Sequence, residues 1–256
     1  MYKSKSFSIK DFETIKKEIE LLSEYYKGVK KLFLADGDAM VLSANKLIPI
    51  LDEINLKFGR LQRVSAYASA ANIISKTDEE LKNLYERGLK LLYIGIESGD
   101  NELLQLVNKG ESFESYSEGI KKAHNAGMDT SIMILNGLGG RNYSYQHAIN
   151  SAKIISELEP KFLSTLTLSF PLGIEKFKKD FGGEYVQQTL VELFTELKIF
   201  IENINGNNII FRSNHVSNEL NLAGTLSKDK QSMINLLDLA IQQTAGDEYP
   251  NYSGML

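Results

Sequence analysis

The chain has 256 residues, of which 43% are hydrophobic and 24% charged, and its formal net charge of −4 at pH 7 argues against a general affinity for the phosphate backbone of nucleic acids. It contains no cysteine and only three scattered histidines, which excludes disulfides, thiol nucleophiles and a metal site built from this chain alone. No apolar run approaches the ~18 residues of a membrane span, and the N-terminus MYKSKSFSIKDF has no apolar core, so we expect a cytoplasmic protein without a membrane partner.

Amphipathic helices and short apolar runs alternate along the first two thirds of the chain. The segment SIKDFETIKKEIELLSEYYKG has apolar residues at steps of three and four, which predicts a first helix that stops at Gly28. Apolar runs typical of strands begin near residues 31, 61, 90, 129 and 162, and a helical pattern follows each of them. This alternation predicts parallel strands in sequence order, joined by right-handed crossovers.

Local signals fix several helix ends. Thr77 opens a capping box, and the helix after it should end at Gly88. Ser112 is the expected N-cap of another helix, for which Gly127 is the stop. A further helix is predicted over residues 144–158.

The pattern changes after about residue 175. We predict a long helix over 184–204, a strand in NIIFRSNH and a last helix over 228–244. Residues 1–175 therefore form a barrel-like α/β part, and residues 176–256 form an α-rich extension that packs on it. The repeat opens on a helix where a strand should stand, which indicates that its first strand is absent.

Polar and small residues follow each predicted strand. Parallel α/β folds bind ligands at the carboxyl ends of their strands, so these residues should surround one shared pocket. The candidates are Asp36, Gly37, Asp38, Ser65, Tyr67, Glu97, Ser98, Asn136 and Gly137.

Glu97 is the most informative of these candidates. It ends the apolar run in LLYIGIESGD, and burying its charge costs several kcal/mol unless something pairs with it. A ligand facing the pocket would provide such a partner. The structural alternative is that Glu97 caps the helix that begins near Asp100.

The remaining histidines and aromatic residues carry weaker signals. His124 and His147 lie on predicted helices and are expected at the surface, whereas His215 ends a strand and leaves both roles open. Tyr25 and Tyr26 are expected to pack in the core or at its rim.

Four stretches taken together resemble the radical S-adenosylmethionine (AdoMet) superfamily. They are FLADGDA, RVSAYASAANI, LKNLYERGLKLLYIGIESGDNELLQLVNKG and IKKAHNAGMDTSIMILNGLGG. They are most similar to the branch with the elongator catalytic subunit, the tRNA methylthiotransferases and the oxygen-independent coproporphyrinogen oxidases. The resemblance covers residues 1–175, and the segment FRSNH…LAGTLSKDK resembles bacterial iron–sulfur oxidoreductases of the same superfamily.

The resemblance implies a partial (β/α)₆ barrel like that of a TIM barrel. In the family, a loop after the first strand has the pattern C-x₃-C-x₂-C and holds a 4Fe–4S cluster, which binds and cleaves AdoMet to a 5′-deoxyadenosyl radical. MYKSKSF resembles the sequence just after that loop, so we expect this chain to lack the first strand, the loop and the cluster. The parent enzyme also needs a reductant.

The resemblance also assigns roles to the strand ends. Asp36, Gly37 and Asp38 stand where relatives bind the methionine amino group, although they depart from the usual Gly-Gly-Glu. Glu97 stands where relatives contact the ribose or amino group, and the region around Asn136 and Gly137 matches the stretch that approaches ribose and adenine. Candidates to face the unidentified substrate are Tyr67, Arg141, Arg212 and His215.

Three functions therefore stay open. The favoured one is the AdoMet-binding barrel of a radical enzyme, inactive without cluster cysteines. The second is a conventional barrel lyase or isomerase that uses Glu97 and Asp38 as acid and base. The third is a barrel that binds a small molecule without catalysis.

Overall fold

The structure is a computed structural model that describes residues 8–59, 61–170 and 173–244. One sheet of seven strands runs in the order β1 to β7. Strands β1 to β6 are parallel, and β7 is antiparallel to β6. The strands are β1 (Lys31–Asp38), β2 (Arg63–Tyr67), β3 (Leu89–Glu97), β4 (Asp129–Asn136), β5 (Phe162–Thr167), β6 (Ile210–Ser213) and β7 (Leu222–Thr225). The α/β fold and the predicted strand order are confirmed.

Ten α-helices in the described residues connect or flank the strands. They are α1 (Phe12–Tyr25), α2 (Ala44–Phe58), α3 (Ala70–Ile74), α4 (Asp78–Glu86), α5 (Asn101–Leu106), α6 (Phe113–Asn125), α7 (Gly140–Leu158), α8 (Glu175–Asp180), α9 (Leu190–Asn203) and α10 (Leu226–Gln243). The capping box at Thr77 forms as predicted, and Ser112 is the predicted N-cap of α6, where it also forms a box with Ser115. None of the helices in this part of the chain is long and apolar enough to cross a membrane.

Two expectations are wrong in detail, and one strand was missed. The helix predicted over 184–204 begins later, because Thr189 caps α9 through a box with Glu192. The short strand β7 was not predicted, since four residues give too little alternation to detect. Tyr25 and Tyr26 are 76% and 60% exposed and do not belong to the core.

The two faces of the sheet differ in burial. Along β3, Leu92, Ile94 and Ile96 are fully buried beneath the helices, whereas the alternating residues Tyr93 and Gly95 remain partly exposed. Each fully buried leucine or isoleucine contributes roughly 1.5–3 kcal/mol. Burial under the helices therefore determines which side chains of the strand point into the core. The opposite face is left to line an open interior.

Contacts between strands that are not neighbours indicate that the sheet curves around this interior. The rings of Phe33 on β1 and Tyr93 on β3 lie 5.2 Å apart, although β2 separates the two strands. The guanidinium carbon of Arg63 on β2 lies 5.8 Å from the ring centre of Phe162 on β5. Strands three places apart in a flat sheet would be about 14 Å apart. The side chains on this concave face therefore converge as in a partial barrel.

Strand β1 is the edge of the sheet among the described strands. It pairs with β2 on one side, and helix α1 packs against α2. A groove of about 400 Å³ lies along its other side, lined mainly by apolar residues of α1, β1 and α2 and also by Asp36 and Gly37. Among the residues that the structure describes, no strand pairs with β1 on this side.

Candidate functional site

The carboxyl ends of β1 and β3 share an unusual backbone geometry. Asp36 and Glu97 are non-glycine residues in the left-handed region, with φ of 67° and 61°. The β1–β2 register shifts between Leu34 and Asp38, and the β3–β4 register shifts between Gly95 and Glu97. A shift of this kind turns a side chain out of the regular alternation. Backbone strain that costs about 1 kcal/mol or more per residue is often concentrated at functional sites.

Glu97 forms an ion pair on the concave side of this edge. Its Oε1 lies 3.1 Å from Nζ of Lys109, and both side chains keep partial contact with solvent. Gly95 makes room for the carboxylate, because a Cβ at that position would lie 2.5 Å from Glu97 Oε1. Asp100, not Glu97, caps α5 by accepting from the backbone N–H of Leu103, so the alternative role of Glu97 as a cap is wrong.

Asp38 serves the fold at the end of β1. Its carboxylate accepts from the backbone N–H of Met40 at 2.8 Å, from that of Ser69 at 2.9 Å and from the side-chain amide of Asn72 at 2.7 Å. Three donors leave little acceptor capacity for anything else. Asp38 therefore ties the end of β1 to the start of α3, while Asp36 and Gly37 line the groove beside β1.

A buried lysine accompanies Asp38. Lys76 is 4% exposed, and its ammonium donates to the carbonyl oxygens of Met40 and Asn72. Burial lowers the pKa of Lys76, and the nearby Asp38 and Glu80 carboxylates oppose that shift. No local pattern marks Lys76, because its burial depends on the tertiary contact between its ammonium group and the Met40 carbonyl oxygen.

Aromatic rings form one wall of the concave face. Phe33, Tyr67 and Tyr93 meet edge to face, with ring centres 4.9 to 6.2 Å apart. Tyr67 is 48% exposed and Phe33 37%, so this wall is open to solvent. Ser65, a buried residue, lies between Phe33 and Leu91 in the strand register.

Ser98 faces away from this interior. It is fully buried, and its Oγ lies 2.8 Å from Nδ1 of His147 on α7. His147 is 1% exposed, so the expectation of a surface histidine is wrong. A carboxylate oxygen of Glu196 on α9 lies 3.8 Å from Nε2 of the same ring. This resembles the arrangement of a serine nucleophile, yet full burial keeps any substrate from Ser98.

Asn136 and Gly137 also turn toward the helices. The Asn136 side-chain amide donates to the carbonyl oxygen of Leu193 at 3.3 Å, and the Gly137 N–H donates to Glu196 Oε1 at 2.7 Å. Tyr185 Oη donates to the Gly137 carbonyl oxygen at 2.9 Å. The donors at the end of β4 therefore bond to α9, and the Gly137 carbonyl oxygen accepts from the segment before α9.

Of the four predicted substrate residues, Tyr67 belongs to the aromatic wall of the concave face, whereas the other three are dispersed. Arg141 lies at the start of α7, where its guanidinium pairs with Glu192 at 2.8 Å. Arg212 lies on β6 and is exposed, opposite Ser164 in the register. His215 is exposed in the β6–β7 loop, where its Nδ1 accepts from the Ser217 backbone N–H at 3.1 Å.

His124 is half-buried rather than at the surface. Its Nε2 lies 2.9 Å from Thr130 Oγ1, and burial lowers the pKa of the imidazole. Within residues 8–59, 61–170 and 173–244, no three histidine or acidic side chains cluster closely enough to hold a metal ion.

Comparisons with known proteins agree with this architecture. A family model described as "Radical SAM superfamily" matches residues 2–153. The heme chaperone HemW of Bacillus subtilis is 26% identical over 126 residues, which is 48% of this chain and 33% of HemW. The chain thus spans about one third of that relative's length.

Two solved structures show the same fold at low identity. The coproporphyrinogen III oxidase HemN of Escherichia coli has a TM-score of 0.60 at 17% identity, with 74% of this chain and 44% of HemN covered. An N-terminally deleted Elp3 of Methanocaldococcus infernus has a TM-score of 0.58 at 15% identity, with 91% of this chain and 59% of Elp3 covered. Because the family model matches more than half of the residues, this chain belongs to the radical SAM superfamily.

Proposed function

We propose that this chain is the AdoMet-binding barrel of a radical SAM iron–sulfur oxidoreductase. One observation carries the proposal: the ends of β1 and β3 both combine a register shift with an acidic residue in the left-handed conformation. Asp36 and Glu97 thereby present acceptor oxygens at one edge of the sheet. AdoMet brings donors to such a site, namely its ammonium group and its ribose hydroxyls.

The residues fit AdoMet better than they fit the cluster. Glu97 is partly exposed and holds its carboxylate over Gly95, so it can accept from a ribose hydroxyl or the ammonium group. A 4Fe–4S cluster needs thiolates, and the sequence has no cysteine. In the family, the reduced cluster supplies the 5′-deoxyadenosyl radical, so cluster ligands from outside these 256 residues are required for that chemistry.

The groove beside β1 supports the proposal that this chain binds AdoMet and that the cluster ligands come from outside it. It lies beside β1, which is an edge strand within the described part of the chain, and it reaches Asp36 and Gly37. An extended segment that paired with β1 would end next to the proposed AdoMet site. The whole enzyme would also need a reductant and a substrate, for which Tyr67 and Arg212 on the concave side remain our candidates, with His215 and Arg141 farther away. We keep a cytoplasmic location as part of the proposal.

The acid–base alternative is weaker. Asp38 accepts three hydrogen bonds within the fold, so it is poorly placed to exchange protons with a substrate. A barrel that binds a small molecule without catalysis differs from our proposal only in whether a cluster is ever supplied.

Calorimetry with AdoMet tests the proposal on the chain itself. Without a cluster, a few hydrogen bonds to charged groups offset the association entropy only in part, and we expect a Kd on the order of 0.1–1 mM. Glu97→Ala should remove binding, whereas Glu118→Ala on the exposed side of α6 should not. Submicromolar binding by this chain would show that the cluster is not the main anchor. Binding that survives in Glu97→Ala would disprove the assigned site.

The same preparation tests the cofactor assignment. After anaerobic incubation with iron and sulfide, the chain should bind no stoichiometric cluster and show no charge-transfer absorbance, because it offers no thiolate. A bound cluster would contradict the view that its ligands lie outside this chain.

A further inference from the structure

Glu196 on α9 is a buried carboxylate beyond the part of the chain that matches the family model. It is 1% exposed. Its Oε1 accepts from the Gly137 N–H at 2.7 Å, and its Oε2 accepts from the Gln188 side-chain amide at 3.0 Å. Burying an unpaired carboxylate would be costly, and these two hydrogen bonds offset that cost.

The end of β4 is shaped to meet this helix. Gly137 has a φ of +84°, which favours glycine, and a Cβ there would lie 2.7 Å from Cδ2 of Leu193. The Gly137 peptide is thus held on both sides, by Glu196 at its N–H and by Tyr185 at its carbonyl. Changes in α9 must therefore reach the end of β4 directly.

His147 extends the connection to the end of β3. Nε2 of the His147 ring faces Glu196, with 3.8 Å between Nε2 and Oε1. Nδ1 of the same ring lies 2.8 Å from Ser98 Oγ, and that hydroxyl oxygen accepts from the Asp100 N–H at 3.0 Å. Ser98 directly follows Glu97, so this buried chain ends beside the proposed AdoMet contact.

We infer that Glu196 and His147 are positioning residues for the AdoMet site. They link the ends of β3 and β4 through α7 and α9. The backbone at Glu97 therefore keeps a fixed position relative to the backbone at Gly137. Helix α9, in the C-terminal extension, thereby becomes part of the binding machinery. This inference rests on the proposed function and adds residues that do not touch the ligand.

The variant Glu196→Gln tests the connection with little change in shape. Both neighbours of Glu196 are donors, and a glutamine oxygen can accept from only one of them while its amide faces the other. Glu53→Gln is the matched control, because Glu53 is also a buried glutamate on a helix but lies on α2, away from this chain of contacts. Backbone amide shifts and hydrogen exchange are recorded well below the melting temperature.

The expected result is a change at both strand ends. Glu196→Gln should alter the amide signals of Gly137 and also those of Glu97, Ser98 and Gly99, and should weaken AdoMet binding by fivefold or more. Glu53→Gln should leave these signals and the affinity unchanged. His147→Gln should alter the Gly137 amide as well, and this second variant decides the matter if Glu196→Gln does not fold.

Two outcomes overturn the inference. In one, Gly137 responds to Glu196→Gln while residues 97–99 do not. In the other, all these amides respond but AdoMet affinity equals that of Glu53→Gln. If the native chain binds no AdoMet at all, the proposed function fails, and the amide signals alone then decide whether the two strand ends are coupled.

Discussion

The ends of β3 and β4 are neighbours in the sheet, yet their polar groups face opposite ways. At β3, Glu97 sits in a strained conformation after a register shift, with its carboxylate on the open concave side. At β4, the pairing with β5 stays regular, and Asn136 and Gly137 bond to α9. A polar residue at a strand end can thus serve either the ligand side or the helix side, and the local backbone decides which.

Substitutions at the two glycines that flank Glu97 should show the largest difference between the helix side and the concave side of the sheet. A Cβ at Gly99 would lie 2.3 Å from the backbone oxygen of Asn150, so Gly99→Ala should cost about 3 kcal/mol of unfolding free energy. At Gly95 the obstacle is the mobile carboxylate of Glu97, so Gly95→Ala should cost less than about 1 kcal/mol yet weaken AdoMet binding.

Urea unfolding and calorimetry measure the two effects. Gly183→Ala is the control, because its Cβ would find only ordinary contacts. Equal losses of stability at Gly95 and Gly99 would contradict the proposed difference between the concave side and the helix side.

Asp38 should behave as a structural residue although it stands at a strand end. Asp38→Ala removes the acceptor of three hydrogen bonds and leaves two backbone donors to find other partners, which should cost about 2–3 kcal/mol. Asp38→Asn keeps one acceptor oxygen and should lose less. Chemical unfolding of both variants measures these losses of stability. If the variants lose only AdoMet affinity, Asp38 is a ligand contact and not a structural residue.

Substitutions of Glu97 should abolish AdoMet binding and change stability only slightly, the reverse of what we expect for Asp38. Its ion pair with Lys109 is partly exposed and worth at most about 1 kcal/mol, whereas a left-handed φ costs a non-glycine residue roughly 1–2 kcal/mol. Glu97→Gly should therefore be about 1 kcal/mol more stable than Glu97→Ala, while neither variant binds AdoMet. Equal stability of the two would indicate that the backbone at position 97 is not strained.

The sequence predicted the strands well because their burial follows simple rules. The five predicted starts lie within two residues of the observed ones, since each strand is a run of apolar residues that the helices cover. Thr77 and Ser112 could be identified as caps because their partners lie three residues away. Periodicity and capping are local, so a single sequence contains them.

The site was less accessible to sequence reasoning. Asp36, Asp38, Glu97 and Asn136 look alike as polar residues after strands, and only the register shifts and tertiary hydrogen bonds tell them apart. His147 and Glu196 lie on different helices 49 residues apart, so nothing local marks them as neighbours of the Ser98 loop. Lys109 could have been noticed, because it closes the same NELLQLVNK segment that follows Glu97.

The smallest expected effect is a pH dependence of the unfolding free energy that comes from His124 on α6. Burial holds the pKa of His124 below its usual 6.5, so the folded state keeps the ring neutral where the unfolded chain already binds a proton. The stabilisation is complete above about pH 6.5 and is lost as the pH falls toward the folded pKa. His124→Gln should flatten the decline in unfolding free energy between pH 7.5 and 5, and the exposed His215→Gln should leave it unchanged. An unchanged decline in His124→Gln would assign it to other groups.

A map of backbone amide shifts during titration of the native chain with AdoMet tests the assigned AdoMet site most directly. We predict saturable changes at Asp36, Gly37 and residues 95–98, with a Kd on the order of 0.1–1 mM, and smaller changes at Gly137 transmitted through Glu196. Changes confined to α9 and its surroundings, or no change at AdoMet concentrations of several mM, would contradict the claim that the bulged ends of β1 and β3 form the AdoMet site.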